Sequence, residues 1–453
     1  MTALDADVVV VGAGISGLGA AYRLRAHGLK PLVIEQSDRV GGRMRTDRIG
    51  GYNIDAGVTI LGRRYRRMRA LVRELGLERI TESVPFSLAI DGPDRTRIYR
   101  AARPDDLLLG PNLSLKEKLS VARFGIDMLR FRRVLLHGLA DRATELDDRT
   151  AADYLRGLGT GGSALLRQVF EPGLRAAVGG DLGTTSRQVL LTVVFNTLDA
   201  GFWNFREAVD LLPRALAGAV EVRLSTDVVA VHRASTGIVI EVDESRERKA
   251  VRARGVILAI PGWSIPGLAS WLPDWLLGPL ARTEFSRVSS IHLGLRRPPA
   301  AKVVGVGFTD AASGIGVLEL EHLRAPGRTP AGKGMVSVYF VNAPGFDCVD
   351  ASDAELTGRA MEIIESRFPG LGKEVELVHR VSWASGIALF PVGRLREMSA
   401  VRRRLASWTE PVDVAGDWLD GVASESALRT GEQAADRLAA RLSGRTLTML
   451  SRG

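Results

Sequence analysis

The chain has 453 residues, 45% of them apolar and 25% charged, a composition of two to three folded domains that excludes disordered, collagen-like and membrane-bundle architectures. Its single cysteine, Cys348, excludes an internal disulfide framework, a cysteine-ligated zinc site and a CxxC redox pair. The net charge of +9 is carried mostly by scattered arginines; with 6% aromatics and no zinc-finger or RNA-recognition pattern, it reads as a basic surface and not as a nucleic-acid site.

The six histidines show no zinc-helix spacing, so no metal is expected, and the GxSxG of serine hydrolases is missing. No basic segment followed by an apolar one opens the chain, and no apolar run reaches about 18 residues. The expectation is a cytoplasmic location, with a peripheral contact on the inner membrane face left open.

Val8 to Val11 form a run of four valines, the mark of a strand buried on both faces. Gly12, Gly14 and Gly17 follow as GxGxxG, and an Ala-, Leu- and Arg-rich helical pattern comes next. In such a strand–turn–helix unit Gly12 allows the turn, Gly14 lets the backbone approach a pyrophosphate, and Gly17 lets the helix pack on the strand. The helix start at Ile15 and Ser16 offers free N–H groups to the phosphates. The next strand, residues 31–35, ends at Glu35, followed by Gln36. A carboxylate about 20 residues beyond the glycines accepts the adenosine ribose hydroxyls. A second GxGxxG at Gly157, Gly159 and Gly162 has no apolar strand before it and no acidic strand end after it, and reads as a loop.

Gly41-Gly42-Arg43 and Asp55-Ala56-Gly57-Val58 come next. Together with the first glycine motif and Glu35, they make the sequence resemble the flavin-dependent amine oxidase superfamily, which holds amine oxidases, protoporphyrinogen oxidases and carotenoid desaturases. The resemblance implies FAD and not NAD. It implies that Gly41 and Gly42 pass close to the flavin end, that Arg43 offsets pyrophosphate charge, and that Gly57 and Val58 belong to the cofactor site. A middle segment follows: a helix at 211–216, then strands at 220–224, 228–231, 238–242 and 251–259. There the resemblance implies a backbone contact of Val228 with adenine. The usual Gly-Gly before that helix reads Arg206-Glu207-Ala208 here. Near the C-terminus a short strand ends in Gly416-Asp417, which the resemblance places against the ribityl-phosphate. Val422 precedes a helix through Ala427, Gly431 and Leu438, whose positive N-terminus would face the flavin ring.

The expected fold is α/β. A Rossmann-like FAD-binding domain is assembled from residues 1–70, 206–270 and 390–453, with an inserted α+β substrate-binding domain from 71–205 and 271–389. The first inserted piece reads as helical, for example the amphipathic, basic stretch 115–136. The second mixes strands at 288–295 and 335–341 with a helix at 354–368.

In a flavoenzyme the isoalloxazine takes a hydride and the protein orients, excludes water and tunes. No second dinucleotide site is visible, so O2, or a quinone, is the expected acceptor. The lysine shared by amine oxidases would fall near Ser290, where no lysine stands, and their aromatic cage position falls near Val422 or Ala423. No cysteine lies near 385–393, so the FAD is expected to be non-covalent. Gly416-Asp417-Trp418-Leu419-Asp420-Gly421-Val422, with Trp383, Phe390-Pro391 and Gly393 before it, is similar to the protoporphyrinogen-oxidase branch. The expectation is an FAD-dependent oxidase or dehydrogenase acting on a small hydrophobic, cyclic substrate: a porphyrinogen or a specialised-metabolite intermediate. An amine or amide C–N oxidase is the alternative; a flavin-bound isomerase or an FAD-binding scaffold is a further one. Candidate substrate contacts are Arg63, Arg64, Ser290, His292, Trp383, Phe390 and Trp418.

Overall fold

The computed structural model describes residues 4–84, 87–91, 96–100, 115–136, 139–160, 164–197 and 201–444. At its centre lies the valine strand, Ala6–Val11. Val8 and Val10 pack into one apolar cluster and Val9 and Val11 into another, so both faces of the strand are covered, as a continuous apolar run requires. It pairs in parallel with Pro31–Ile34 on one side and Glu247–Leu258 on the other. Glu221–Arg223 extends the sheet in parallel beyond Pro31–Ile34. The end of Glu247–Leu258 sits between Ala6–Val11 and Val412–Val414, both parallel to it. Its beginning leads instead into an antiparallel meander with Ile238–Glu244 and Thr226–Arg233. One sheet thus draws its strands from the start, middle and end of the chain.

Small residues set the spacing of the helices on this sheet. Helix Ile15–Ala26 crosses the last helix, Ser424–Leu442, so closely that a Cβ on Gly431 would lie 2.0 Å from the Ser16 carbonyl oxygen. A Cβ on Gly19 would lie 2.5 Å from Leu428.

The second sheet has seven strands, in the order Val375–Trp383, Val288–Leu295, Gly334–Val341, Ile315–Leu320, Gly305–Phe308, Ser87–Asp91 and Thr96–Arg100. All neighbours are antiparallel except Gly305–Phe308 with Ser87–Asp91. Helix Asp353–Arg367 packs Leu356, Ala360 and Ile364, one face of a helix, into the apolar cluster that also takes Ile291, Leu293, Val336 and Val338 from the sheet.

Two expectations need correction. The stretch 71–205 is not simply helical: Thr81–Val84, Ser87–Asp91, Thr96–Arg100 and, at its end, Phe202–Phe205 are strands. Segments of four or five residues carry too few alternations to declare themselves, and Ser87–Asp91 takes one of its two partners from more than 200 residues away. The second GxGxxG is not a loop where it is described: helix Ala151–Leu155 runs straight into a π-helical turn at Arg156–Thr160, which contains Gly159 at φ +83°. Gly162 lies outside the described residues. The Arg206-Glu207-Ala208 segment holds its place without glycines. The Val209 N–H donates to Asp55, and the Arg206 carbonyl accepts from Arg328, which is itself ion-paired to Asp55 with both side chains fully buried. Among the described residues no helix is long and apolar enough to cross a membrane.

Candidate active site

A cavity of about 1240 Å³ joins the C-terminal ends of the parallel strands to the second sheet. That exceeds the ~300–1,000 Å³ of one small-molecule site and leaves room for a cofactor and a substrate together.

Its first end is built by the glycine turn, in the crevice where open α/β sheets bind ligands. Gly12 has φ +100°, and a Cβ on it would meet the Ala259 carbonyl oxygen at 2.7 Å. Gly14 begins the first helix with an ordinary φ of −70°, yet a Cβ there would meet no atom within 4 Å, because that side of the residue faces the cavity. Ser16, beside it on the wall, has a buried hydroxyl with no hydrogen-bond partner. Leaving such a group unpaired costs about 1–3 kcal/mol, and a ligand phosphate at the helix N-terminus would satisfy it. Gly17, by contrast, does not line the cavity. Its Cβ would lie 1.9 Å from the Gly12 carbonyl oxygen, so it is a packing glycine and not a ligand contact. The Glu35 carboxylate is held on the wall by the Ala13 N–H at 2.7 Å and the Ser37 N–H at 3.0 Å, with Gln36, Thr226 and Val228 beside it.

In the middle, Gly41 (φ +108°) and Gly42 (φ +53°) line the cavity, and the Gly41 N–H donates to the Ala13 carbonyl. A Cβ on Gly57 would meet the Arg43 carbonyl oxygen at 2.2 Å, so the two loops interlock; Val58 lies on the wall next to them. Arg43 lies on the wall, where its guanidinium makes two 2.8 Å bonds to Asp417, 374 residues away, and one to the Gly386 carbonyl. Gly416 and Asp417 also line this part; a Cβ on Gly416 would strike the Trp418 indole nitrogen at 2.2 Å. Val422, Ala423 and Ser424 bring the positive start of the last helix to the cavity. Its second residue, Glu425, turns away: the buried carboxylate accepts the Arg67 and Met68 N–H groups and caps helix Arg66–Glu74. Nothing local in the sequence announces a cap supplied by another helix.

The far end is walled by apolar side chains, among them Leu88, Ile90, Phe170, Leu174, Val193 and Val317. Its polar groups include Ser290, Tyr339, Glu319, Arg175 and Asn196, of which the sequence reading found the first alone. Ser290 Oγ bonds His292 Nε2 at 2.9 Å, and His292 Nδ1 bonds Ser337 Oγ at 2.7 Å. His292 itself is fully buried behind Ser290 and off the wall. Burial, with nearby His379 and Arg324, pushes its pKa down to about 3, so the imidazole is neutral. Glu319 on the wall is paired with the buried Arg324, which also holds Glu321. Trp383 lines the cavity with its indole N–H donated to the Ala56 carbonyl at 2.6 Å and Arg45 stacked 4.8 Å over its ring. Trp418 forms wall, its N–H taken by the Ile260 carbonyl.

Three further candidates are not on this wall. Arg63 is exposed. Arg64 donates to the Phe195 carbonyl with its guanidinium 4.1 Å over the Phe195 ring. Phe390 is buried in the main core. Among the described residues no lysine lines the cavity.

The model of the family described as flavin containing amine oxidoreductase matches residues 15–439 of this chain. Coproporphyrinogen III oxidase of Bacillus subtilis is 21% identical over 94% of this chain and 96% of its own length. A Mycobacterium tuberculosis protein named as a flavin-containing monoamine oxidase is 36% identical, over 33% of this chain; the match spans about a third of that relative, 32%. Among solved structures, cyclohexylamine oxidase of Brevibacterium oxydans superposes with a TM-score of 0.75 at 19% identity, covering 97% of this chain and 100% of that one. An Exiguobacterium protein named as a protoporphyrinogen oxidase superposes at 0.76 and 20% identity, covering 97% and 99%. With the glycine cradle, the orphaned Ser16 hydroxyl and the ribose-side carboxylate fitting the cofactor such a family carries, the chain belongs to the flavin-containing amine oxidoreductases and is an FAD-dependent oxidoreductase.

Proposed function

We propose that this oxidoreductase dehydrogenates a hydrophobic, cyclic substrate, with a porphyrinogen or a specialised-metabolite intermediate as the named candidates and O2 as electron acceptor. The observation that carries the reading is the apolar far end of the cavity: its aliphatic and aromatic wall has no lysine among the described residues, and its carboxylate, Glu319, is already matched by Arg324. Bound FAD would supply the hydride acceptor. Gly12, Gly14, Ile15, Ser16, Glu35, Gln36 and Val228 would hold its adenosine diphosphate half; Gly41, Gly42, Gly57, Val58, Gly416, Asp417 and Val422 would hold the rest. The FAD is non-covalent on this reading, since Cys348 is buried against Arg287 and Asn342, away from the cavity wall. Trp383, Trp418 and the apolar wall exclude water and orient the substrate. Ser290, backed by the neutral His292, is placed to hold or pass a proton. On this reading the chain divides into a cofactor domain of residues 1–70, 206–270 and 390–453 and a substrate domain of residues 71–205 and 271–389, a division that the two seven-stranded sheets support.

A C–N oxidase is the second reading, favoured by the presence of Glu319, a carboxylate on the wall that could meet a substrate ammonium. Anaerobic mixing of the purified enzyme with porphyrinogens, amines and dihydro-aromatics separates them. Flavin bleaching by cyclic apolar substrates, with peroxide formed in air, supports the first reading; bleaching by amines alone replaces it with the second. Turnover without net bleaching would point to isomerisation and refute both.

A further inference from the structure

Two polar side chains at the far end of the cavity each hold a buried atom with no hydrogen-bond partner among the described residues. The first is Arg175, 5% exposed, on helix Ala164–Val178 beside the wall residue Leu174. Its Nη1 reaches only the Phe308 and Asp310 carbonyls, at 3.3 and 3.5 Å. Its Nη2 has no acceptor within hydrogen-bond distance; the Glu171 carboxylate stands 3.6 Å away. Burial outweighs Glu171, Asp310 and Asp181 and pulls the guanidinium pKa below its ordinary value, as expected of a cation short of close partners. The second is Asn196, 4% exposed, on helix Arg187–Thr197 beside the wall residues Val193 and Val194. Its amide nitrogen donates to the Leu135 and Thr192 carbonyls, at 2.7 Å each, which fixes the amide with Oδ1 as its open end. Leaving such groups unpaired in an apolar wall costs stability, so each is matched to something that enters the cavity.

We propose that these two side chains read a polar pair on an otherwise apolar substrate: Arg175 takes a carboxylate, and Asn196 Oδ1 takes an N–H or O–H donor. This rests on the reading of the far end as the substrate end. One group is a donor and the other an acceptor, so a pure hydrocarbon satisfies neither. The cofactor's diphosphate has its place at the other end, against Gly14 and Ser16, which leaves Arg175 to the substrate. A carboxylate brings one negative charge to one guanidinium; a phosphate brings more than Arg175 can offset with Glu171 already beside it. The chain's net charge of +9 draws such an acid toward the protein. Recognition of this kind is selective, because an analogue that lacks either group leaves a buried partner unpaired. The apolar wall sets the shape of what enters, and the polar pair sets its orientation.

The test is titration of the FAD-loaded protein with indolepropionic acid, a flat ring carrying a carboxylate and an N–H, read by calorimetry and by the change in flavin absorbance. Its methyl ester and its N-methyl derivative each lack one of the two groups. On the wild type either change should weaken binding about tenfold or more. Arg175→Met should bind acid and ester alike and still prefer the N–H; Asn196→Leu should bind the N–H and N-methyl acids alike and still prefer acid over ester. Arg175→Lys, which keeps the charge, should recover part of the preference for the acid. The flavin spectrum and melting temperature report whether each variant is folded, and the contrast among probes on the wild type needs no variant. Wild type that binds none of the three, or binds all three alike, would overturn the inference, as would contrasts that persist in the matching variants. Such a failure leaves the dehydrogenation reading standing. A protein that shows both contrasts but oxidises no cyclic compound in the anaerobic screen loses that reading and keeps this recognition.

Discussion

Gly14→Val should remove the cofactor and Gly17→Ala should damage the fold, although the two glycines stand three residues apart in one motif. At Gly14 the backbone, φ −70° and ψ 174°, is one any residue adopts, and a Cβ meets no protein atom within 4 Å. The apo-protein should lose no more than about 1 kcal/mol, the scale of a changed helix cap. The added isopropyl group fills the space where the diphosphate must approach, so FAD affinity should fall at least about 100-fold, roughly 2.8 kcal/mol at 1.4 kcal/mol per decade. At Gly17 a Cβ lies 1.9 Å from the Gly12 carbonyl oxygen, where ordinary contact begins at 3.4 Å, so two backbone segments must part by about 1.5 Å. Overpacking of backbone on backbone costs about 3 kcal/mol or more, equivalent to roughly 3 °C or more in melting temperature for a chain of 453 residues unfolding as one unit. The assays are FAD titration of each apo-protein and thermal unfolding without flavin. The reasoning is refuted if Gly14→Val still binds FAD like wild type, or if its apo-protein melts as early as Gly17→Ala.

Arg43→Met leaves the Asp417 carboxylate, whose side chain is 9% exposed, without its partner. Because Arg43 is itself about a third exposed, the expected loss is about 2 kcal/mol, below the 3–5 of a fully buried pair. Adding Asp417→Asn should recover most of it in urea unfolding; no recovery would mean the pair does not couple the two loops. His292 has a pKa lowered to about 3 in the fold against 6.5 when unfolded, so it contributes stability above pH 6.5 that is lost as pH falls toward 3. Between pH 6.5 and 4, wild type should therefore lose about 1.4 kcal/mol per unit more than His292→Asn, read from unfolding at each pH; parallel profiles would contradict a neutral, buried imidazole. Glu319→Gln should leave oxidation of an apolar cyclic substrate within about threefold of wild type, since the carboxylate is a wall group paired to Arg324, whereas a drop in kcat/KM above about 100-fold confined to amines would favour the C–N reading.

What could be seen in the sequence was what local geometry dictates. Four valines between covering layers, a turn that tolerates no Cβ at Gly12 and an acidic residue ending the next strand each leave a mark within a few positions, and each stands on the cavity wall or beneath it. Gly17 shows that motif membership does not assign a role: the same pattern contains one glycine kept open for a ligand and one closed by backbone. The rest depended on contacts that no local pattern carries. Arg43 with Asp417, and Asp55 with Arg328, join segments hundreds of residues apart. Arg63 and Arg64 follow the right motif, yet the chain turns them from the cavity; Phe390 sits in the right phrase but inside the core. Glu319, Tyr339 and Arg175 reach the cavity because a seven-stranded sheet and a helix against it put them there, and single polar residues in such elements look like any others.

A crystal structure of the FAD-loaded enzyme bears most directly on the central claim, that one continuous cavity holds an extended cofactor and an apolar substrate end to end. The account predicts adenosine ribose hydroxyls on Glu35, the diphosphate against Gly14 and Ser16 with the Ser16 hydroxyl now bonded, and the isoalloxazine between Val422 and the apolar wall around Phe170 and Val317. A flavin seated elsewhere, or folded so that its ring never reaches that wall, would contradict it.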